Sequence, residues 1–232
     1  MSTPIGNRKD ITLRALEVLS KASIILCEDT RKTGMLLKHY QETQGIKFTA
    51  RLVSFFEENE ESRIPQIVDW LNKGEEIALV SSAGTPLLSD PGFKLVRECV
   101  KQEIQVLAVP GASALLAGLV VSGLPINNFM YLGFLPKKSG KKEKLLTKAM
   151  EIQKLIPQTV VFYESPFRIL KTLKLLEQIN SEAQVVLGRE LTKKFEEVQR
   201  GTPVQLIKEL KDKKIKGELV VMVKCLDGKQ RG

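Results

Sequence analysis

The segment "EIALVSSAGTPLLSDPGFKLVRECV", residues 76–100, contains an apolar run, a turn-rich loop and an amphipathic run in immediate succession. The run from Glu76 to Ser81 predicts a strand, and Asp90 as N-cap with Pro91 at the first helical position predicts that a helix begins there. The loop between them matches neither the phosphate loop G-x-x-x-x-G-K-[ST] nor the dinucleotide fingerprint G-x-G-x-x-G. The segment therefore indicates an α/β unit whose loop holds a ligand through its backbone.

The same alternation of short apolar runs with amphipathic segments continues along most of the chain. Strands alternating with helices are typical of a mostly parallel sheet that is covered by helices on both faces. The pattern restarts after a lysine-rich stretch containing Gly140, which predicts an N-terminal α/β domain over 1–136 and a C-terminal α/β domain over 137–232. The predicted strands cover residues 23–27, 51–55, 76–81, 104–109, 129–135, 159–164, 183–190 and 217–224.

Composition places the chain among globular proteins. Of its 232 residues, 43% are hydrophobic and 27% are charged, which are ordinary values for this class. No apolar run approaches the ~18 residues of a membrane span, and the N-terminus lacks the apolar core of a signal peptide. The three cysteines lie far apart without a C-x-x-C pair, so we expect a cytoplasmic protein with no metal and no disulfide framework.

The charge of the chain is basic and is concentrated in two places. Lys and Arg outnumber Asp and Glu by 36 to 27, giving a net charge of +9, and residues 136–144 and 208–216 contain five lysines each. Solvated surface explains either cluster alone, whereas the two together favour a polyanionic partner such as RNA. Charge by itself leaves both interpretations open.

The inventory of reactive side chains disfavours several classes of enzyme. His39 is the only histidine and lies in a helical run, which disfavours Ser-His-Asp hydrolysis and a histidine-rich metal centre. The absence of a Walker lysine and of a protein kinase signature disfavours ATP-driven phosphoryl transfer. What remains is a fold that binds a small cofactor through backbone and hydroxyl groups, close to acids and arginines.

Six loops at the ends of predicted strands are rich in Gly, Pro, Ser, Thr or paired charges. Because ligands of α/β folds bind at the carboxyl ends of strands or between domains, loops at six such positions suggest a shared crevice. The charged pairs either tie the loops together or position a polar substrate and take a proton from it. The loops cover residues 3–7, 27–31, 81–92, 109–114, 163–168 and 188–193.

Eight blocks of the sequence together resemble one enzyme family. They are "TPIGNRKDITLRALEVL", "CEDTRKTGMLL", "SFFEENEESR", "VSSAGTPLLSDPG", "VPGASALLAGLVVSGLP", "GFLPKK", "FYESPFRI" and "GRELTKKFEEVQRG". In this order and spacing, they are similar to the ribosomal RNA small subunit methyltransferase I family, in the tetrapyrrole-methylase-like class of S-adenosylmethionine (SAM) enzymes. The resemblance implies two α/β domains with SAM in the cleft between them, and commonly a homodimer.

The resemblance also implies an activity and a set of cofactor contacts. The activity is 2′-O-methylation of cytidine 1402 of 16S rRNA, at the decoding centre of the 30S ribosomal subunit. The class pattern carries the SAM contacts onto Pro4, Thr85, Leu88, Ser113, Ala114, Tyr163, Leu191 and Gly217.

Methyl transfer to a ribose hydroxyl needs an aligned nucleophile and an acceptor for its proton. Glu28, Asp29 and Glu190 are candidate proton acceptors and Arg31 is a candidate for orienting a phosphate or ribose, while water is an alternative acceptor. The sequence does not favour one of these acids. The candidate RNA contacts are the basic residues Lys137, Lys138, Lys141, Lys142, Arg168, Arg189 and Lys193.

Two other functions remain as alternatives: a methylase of a tetrapyrrole or other small substrate, and a non-catalytic RNA-binding relative. The "CEDTR" and "SPFR" blocks and the basic charge favour RNA over a small substrate, and the full set of cofactor loops favours catalysis. One departure from the family concerns the segment before "TPIGN", which is apolar in relatives and here consists of Met1 and Ser2. Either translation starts upstream of Met1, or the first strand of the N-terminal domain is cut short.

Overall fold

The computed structural model describes residues 1–225, which divide into two compact units. The first unit is Met1–Ser113 and the second begins at Ala114, so the boundary expected after residue 136 lies inside the second unit. The reason is that the strand preceding the lysine-rich stretch, residues 129–134, pairs with the first strand after it. Gly140 accordingly lies in the first turn of a helix and not in a linker.

The first unit is built on a three-stranded parallel sheet in the order β2-β1-β3. A short 3₁₀ helix, Arg8–Asp10, precedes its first α-helix, whose N-cap is Thr12. The elements are α1 (Leu13–Lys21), β1 (Ile24–Cys27), α2 (Thr30–Gln44), β2 (Arg51–Ser54), α3 (Glu60–Asn72), β3 (Ile77–Val80) and α4 (Phe93–Lys101).

Strand β1 lies in the centre of this sheet because all four of its side chains are apolar and buried. Successive side chains of a strand point to opposite faces, so Ile25 and Cys27 pack into one apolar cluster while Ile24 and Leu26 pack into another. A strand buried on both faces reads as a continuous apolar run, which is why "IILC" is recognisable in the sequence.

Residues 1–3 pack beside the end of β3 without forming a strand of their own. The terminal ammonium of Met1 donates to the Leu79 carbonyl at 2.8 Å, and Thr3 forms an isolated antiparallel bridge with Gly84. The prediction of a strand over 104–109 is wrong: this segment has no ladder partner, although the Val109 carbonyl accepts the Ser2 amide at 3.2 Å.

The second unit contains a five-stranded mixed sheet in the order β4-β5-β8-β6-β7. Only β4 and β5 are parallel; β8 lies antiparallel between β5 and β6, and β7 pairs antiparallel with β6. The expected mostly parallel arrangement therefore holds in the first unit and not in the second. The elements are α5 (Ala114–Ser122), β4 (Phe129–Phe134), α6 (Ser139–Leu155), β5 (Thr159–Glu164), α7 (Ile169–Ile179), β6 (Gln184–Arg189), β7 (Glu197–Gly201), α8 (Pro203–Leu210) and β8 (Leu219–Lys224).

One continuous apolar cluster forms the core of the second unit. Phe162 of β5, Val221 of β8 and Leu173 of α7 are all completely buried in it. The prediction of an α/β fold is confirmed by both units. Within residues 1–225, no helix is both long and apolar enough to cross a membrane, and no cluster of His, Cys, Asp and Glu side chains is arranged to hold a metal ion.

Candidate active site

The parallel strands of the first unit bring two loops to one edge of the sheet. Glu28 follows β1 directly, and Ser81 and Ser82 follow β3. The Glu28 carboxylate accepts the Ser82 amide at 2.9 Å, which joins the two loops. The carboxyl edge of this sheet therefore carries a fixed acid beside the loop of residues 81–92, as the sequence predicts for a ligand site.

The loop of residues 81–92 is held at its base by hydroxyl groups. The Thr85 hydroxyl donates to the Ala112 carbonyl at 3.1 Å and lies 2.9 Å from the Ser2 hydroxyl. The Ser81 hydroxyl donates to the Gly84 carbonyl at 3.2 Å, while Gly84 itself has a φ of 81°. Thr85, a predicted SAM contact, thus links the loop to both neighbouring segments.

The tip of the same loop has a strained backbone and lies in solvent. Leu87 and Ser89 have φ values of 70° and 71°, in the left-handed region that is unfavourable for residues with a Cβ atom. Leu88, a predicted SAM contact, lies between them and is 37% exposed. Strain of this kind persists only where surrounding contacts enforce it, and it is concentrated at ligand-binding loops.

Asp90 is not the N-cap of α4, which corrects the interpretation of the "SDPG" block. The helix begins at Phe93 after Gly92, and the Glu60 carboxylate of α3 accepts the Gly92 amide at 2.9 Å and the Lys94 amide at 3.1 Å. Glu60 provides the cap from another element, 30 positions upstream of Asp90, so no local pattern could have revealed it. Asp90 is thereby released from a capping role.

Asp90 instead faces Glu28 and Ser81 at the edge of the sheet. Burial raises the pKa of Asp90, the negative charge of Glu28 raises it further, and a hydrogen bond with Ser81 opposes both effects, so that the pKa is about 6. A carboxyl group with a pKa close to neutrality is suited to accepting and releasing a proton at physiological pH. Sequence reasoning missed this residue because its position before Pro91 resembled a helix start.

Pro4 lines a cavity of about 190 Å³ at this edge of the first unit. Two cations, Arg8 and Lys32, lie on its wall together with the Ser81 and Ser82 loop. The remaining lining residues are Thr33, Met35 and Leu36.

Three of the four candidate catalytic residues are less suited to the proposed role: two are carboxylates with lowered pKa values, and the third is a highly exposed arginine. Asp29 is the N-cap of α2 and pairs with Arg31, and the Arg31 hydrogen bonds lower its pKa. Arg31 is itself 90% exposed at that helix start. Burial opposes ionisation of Glu190, but bonds from the Glu218 amide and Lys193 outweigh it and lower the pKa of Glu190. Glu28 is the candidate that the structure brings beside Asp90.

In the second unit, the predicted contacts Tyr163 and Ala114 lie at the ends of elements. Tyr163 is half-buried near the end of β5, with its ring 5.4 Å from Tyr131 and 5.3 Å from Phe134. Ala114 is the first residue of α5, preceded by the buried Ser113. Among the predicted cofactor contacts, Tyr163 therefore supplies an aromatic ring and Ala114 supplies the first residue of a helix.

Leu191 and Gly217 lie near the carboxyl end of β6. Leu191 is 7% exposed and packs on Gly188. Gly217 has a φ of 92°, and a Cβ atom there would lie 2.5 Å from the Glu190 side chain, so only glycine fits. A cavity of about 340 Å³ is lined by Arg189, Glu190 and Gly217 among others.

Lys142 is removed from the predicted RNA contacts, because its side chain is buried. It is 6% exposed, and its ammonium donates to Glu164 and to the Thr172 hydroxyl, both at 2.9 Å. Arg168 completes this network through Glu164 Oε1 at 2.5 Å. Burial opposes ionisation of Glu164, but bonds from Thr172, Lys142 and the Ser165 amide outweigh it, and the pKa of Glu164 is lowered.

The other basic candidates fall into two groups. Lys137, Lys138 and Lys141 are exposed at the start of α6. Arg189 pairs with Glu197 at 2.9 Å, and Lys193 pairs with Glu190 and Glu218 at 2.9 and 2.8 Å. The structure therefore leaves the first group accessible to a polyanion and engages the second in ion pairs.

Comparison with known proteins gives one family for almost the whole chain. Residues 2–206 match the family of tetrapyrrole (corrin/porphyrin) methylases. A protein of Hydrogenobaculum sp. named ribosomal RNA small subunit methyltransferase I is 45% identical over 222 residues, covering 95% of this chain and 92% of the relative.

Solved structures share the fold at much lower sequence identity. The methyltransferase CobJ superposes with a TM-score of 0.66 at 16% identity, covering 95% of this chain and 90% of that protein. Uroporphyrin-III C-methyltransferase from Thermus thermophilus, solved with S-adenosyl homocysteine, has a TM-score of 0.59 at 16% identity, with 95% and 94% covered. At such identities the likeness concerns the fold alone.

Proposed function

Because the chain belongs to the tetrapyrrole (corrin/porphyrin) methylase family, and within it to the ribosomal RNA small subunit methyltransferase I family, we propose that it methylates the ribose 2′-oxygen of cytidine 1402 in 16S rRNA with SAM as methyl donor. The observation that carries this proposal is the 45% identity to such a methyltransferase over 95% of the chain.

The side chains at the cofactor positions suit SAM. SAM supplies an activated methyl group on a sulfonium and carries no phosphate, and the loop of residues 81–92 has hydroxyls, backbone groups and apolar side chains but no phosphate-binding device. Glu28 lies beside this loop and Asp90 belongs to it, and their negative charge favours a bound cation. We propose Pro4, Thr85, Leu88, Ser113, Ala114, Tyr163, Leu191 and Gly217 as the residues that hold SAM.

Glu28 and Asp90 are the groups best suited to take the proton of the ribose hydroxyl. As the 2′-oxygen forms its bond to the methyl carbon and the bond from that carbon to sulfur breaks, the hydroxyl proton must pass to an acceptor. Asp90, with a pKa of about 6, is mostly ionised at pH 7 and is a better base than an ordinary carboxylate. Asp29 and Glu190 are poorer acceptors because hydrogen bonds lower their pKa.

The exposed lysines Lys137, Lys138 and Lys141 are proposed to bind rRNA phosphates. Phosphate contacts supply affinity and register, and each one releases counterions, so that binding weakens as salt rises. The target ribose hydroxyl is also the group that distinguishes RNA from DNA. We expect the protein to act in the cytoplasm, as a homodimer, on assembled 30S subunits.

The deciding experiment is methyl transfer from labelled SAM to 30S subunits and to naked 16S rRNA. Reverse transcription or nuclease mapping then locates the 2′-O-methyl group. We expect one methylated cytidine at the decoding centre, with 30S subunits as the better substrate. Label in a small molecule with none in RNA would refute the proposal in favour of a tetrapyrrole-type methylase, and absence of any transfer would favour a non-catalytic RNA-binding protein.

A further inference from the structure

Two exposed aromatic rings lie at the carboxyl edge of β4 and β5, outside the groups used for methyl transfer. Phe167, in the turn between β5 and α7, is 89% exposed. Phe134, the last residue of the parallel neighbour β4, is 60% exposed and pairs in register with Tyr163. Two large apolar rings left in water at one edge of a sheet are unfavourable unless a partner covers them.

The turn that carries Phe167 is rigid because a buried ion network fixes it. Glu164 Oε1 accepts the Ser165 amide at 2.8 Å, and the Ser165 hydroxyl accepts the Phe167 amide at 3.3 Å. The Arg168 amide donates to the Ser165 carbonyl at 2.9 Å. Lys142 and Thr172 hold the other carboxylate oxygen of Glu164. A ring presented on such a turn loses little conformational freedom when it binds a partner.

The surroundings of Phe167 are cationic. Arg168 follows it, and the guanidinium donates to the Leu135 carbonyl at 3.2 Å, which ties the turn to the segment leading into the lysine-rich start of α6. Lys137, Lys138 and Lys141 are exposed there. The nearest acid of the turn, Glu164, is buried and its charge is paired with Lys142 and Arg168. An aromatic ring among cations complements a single-stranded nucleic acid, which has flat bases and anionic phosphates.

We propose that Phe167 stacks on an unpaired base of the rRNA substrate, while the exposed lysines Lys137, Lys138 and Lys141 hold the flanking phosphates. The inference rests on the proposed function and adds to it how the RNA strand is held. Stacking accepts any base, so Phe167 contributes affinity and placement, and sequence selection comes from elsewhere.

The test compares four variants in methyl transfer to 30S subunits. Phe167→Ala should raise the KM for 30S by ~10-fold while leaving the Kd for SAM unchanged. Phe167→Tyr retains a ring and should stay close to the parent, whereas Phe167→Leu retains apolar area without a ring and should behave like Phe167→Ala. Phe129→Ala is the matched control, because Phe129 is a partly exposed ring at the opposite end of β4.

A direct readout uses a short single-stranded RNA of the substrate sequence in which 2-aminopurine replaces one unpaired base. Stacking on Phe167 should quench its fluorescence in the parent and in Phe167→Tyr, and not in Phe167→Ala. An unchanged KM for Phe167→Ala, or full activity of Phe167→Leu, would overturn the stacking proposal. A parent protein that methylates no RNA would instead refute the proposed function, so the two failures are distinguishable.

Discussion

Lys141 and Lys142 are neighbours in sequence with opposite surroundings. Lys141 is exposed, whereas Lys142 is buried and bonded to Glu164 and Thr172. The sequence marks both as members of one basic cluster, because nothing local distinguishes a lysine that turns towards the core from one that turns towards solvent. The partner of Lys142 lies 22 positions away. Side-chain direction within a charged helix therefore needs the tertiary structure.

We predict that Lys142→Ala lowers the free energy of unfolding by about 3 kcal/mol, because it leaves the buried Glu164 with one cation fewer. Lys141→Ala should change stability by less than about 0.5 kcal/mol and should instead reduce the salt dependence of rRNA binding. Urea denaturation measures the first effect and binding titrations at several salt concentrations the second. Equal stability losses in the two variants would contradict this assignment.

Asp90 couples stability to pH in the direction opposite to an ordinary surface carboxylate. Its pKa rises from 3.8 to about 6 on folding, so between these values the folded state binds more protons than the unfolded state. Stability contributed by this group is therefore lost as pH rises from about 4 to about 6. Because asparagine does not ionise, Asp90→Asn avoids the cost of a buried negative charge at this position. It should raise the free energy of unfolding at pH 7 by about 1 kcal/mol, a figure reduced for partial solvent exposure.

The same variant should be a poor catalyst if Asp90 accepts the ribose proton. We expect Asp90→Asn to lower kcat by ~100-fold or more, despite its higher melting temperature at pH 7. At pH 3.5 the melting temperatures of parent and variant should coincide. Thermal unfolding at the two pH values and single-turnover methyl transfer measure these quantities. A lower melting temperature at pH 7, with unchanged rate, would assign Asp90 a structural role.

At the level of elements, the strand–loop–helix unit from β3 to α4 was predictable and its helix cap was not. The apolar runs give the strand and the helix from their own periodicity. The cap comes from Glu60 of α3, which is 5% exposed and reaches across to the first amides of α4. A cap from another element leaves no trace in the residues that flank the helix, so sequence reasoning assigned it to the nearest suitable side chain, Asp90.

Glu60→Ala should destabilise the protein by about 1–2 kcal/mol, because it removes a cap and leaves the buried Gly92 amide without an acceptor. Its neighbour Glu61 is the control: the side chain is 76% exposed and pairs with Lys94 on the surface, so Glu61→Ala should destabilise the protein much less than Glu60→Ala. Urea denaturation of both variants checks the difference. A loss in Glu61→Ala as large as that in Glu60→Ala would show that the cap is unimportant.

The sequence also did not predict the direction of the strands in the second sheet, nor the polar strand β7. β7 reads "EVQRG" and lacks the apolar alternation by which a strand is recognised, yet it pairs along its whole length with β6. β8 is recognisable as a buried strand, but an apolar run does not reveal whether it lies parallel or antiparallel to its neighbours. Conversely, residues 104–109 are apolar enough for a strand and find no partner in the ladder.

At the scale of the whole molecule, the predicted SAM contacts are divided between the two compact units. Pro4 and Thr85 belong to the first unit, while Tyr163 and Leu191 belong to the second. The family assignment required the whole pattern of blocks, since no single loop is specific enough. If these contacts are correct, SAM should raise the stability of both units.

SAM at 100 times its Kd should stabilise each unit to which it binds by about 2.7 kcal/mol. If it contacts both, hydrogen exchange should slow around Thr85 and around Tyr163 together. Thr85→Arg, which places a long cation in the loop, should abolish both effects. Protection confined to one unit would show that the contacts proposed for the other are misplaced.

The central position of β8 has a consequence for how the chain acquires its structure during synthesis. β5 and β6 do not pair with each other; each pairs with β8, which comes after both in the chain. Until residues 219–224 have left the ribosome, the second sheet exists only as two separate strand pairs with their inner edges open. The first unit has all three of its strands by residue 80 and can fold while translation continues. The nascent protein therefore completes its two units in order, and its period of greatest exposure to aggregation ends when β8 closes the gap.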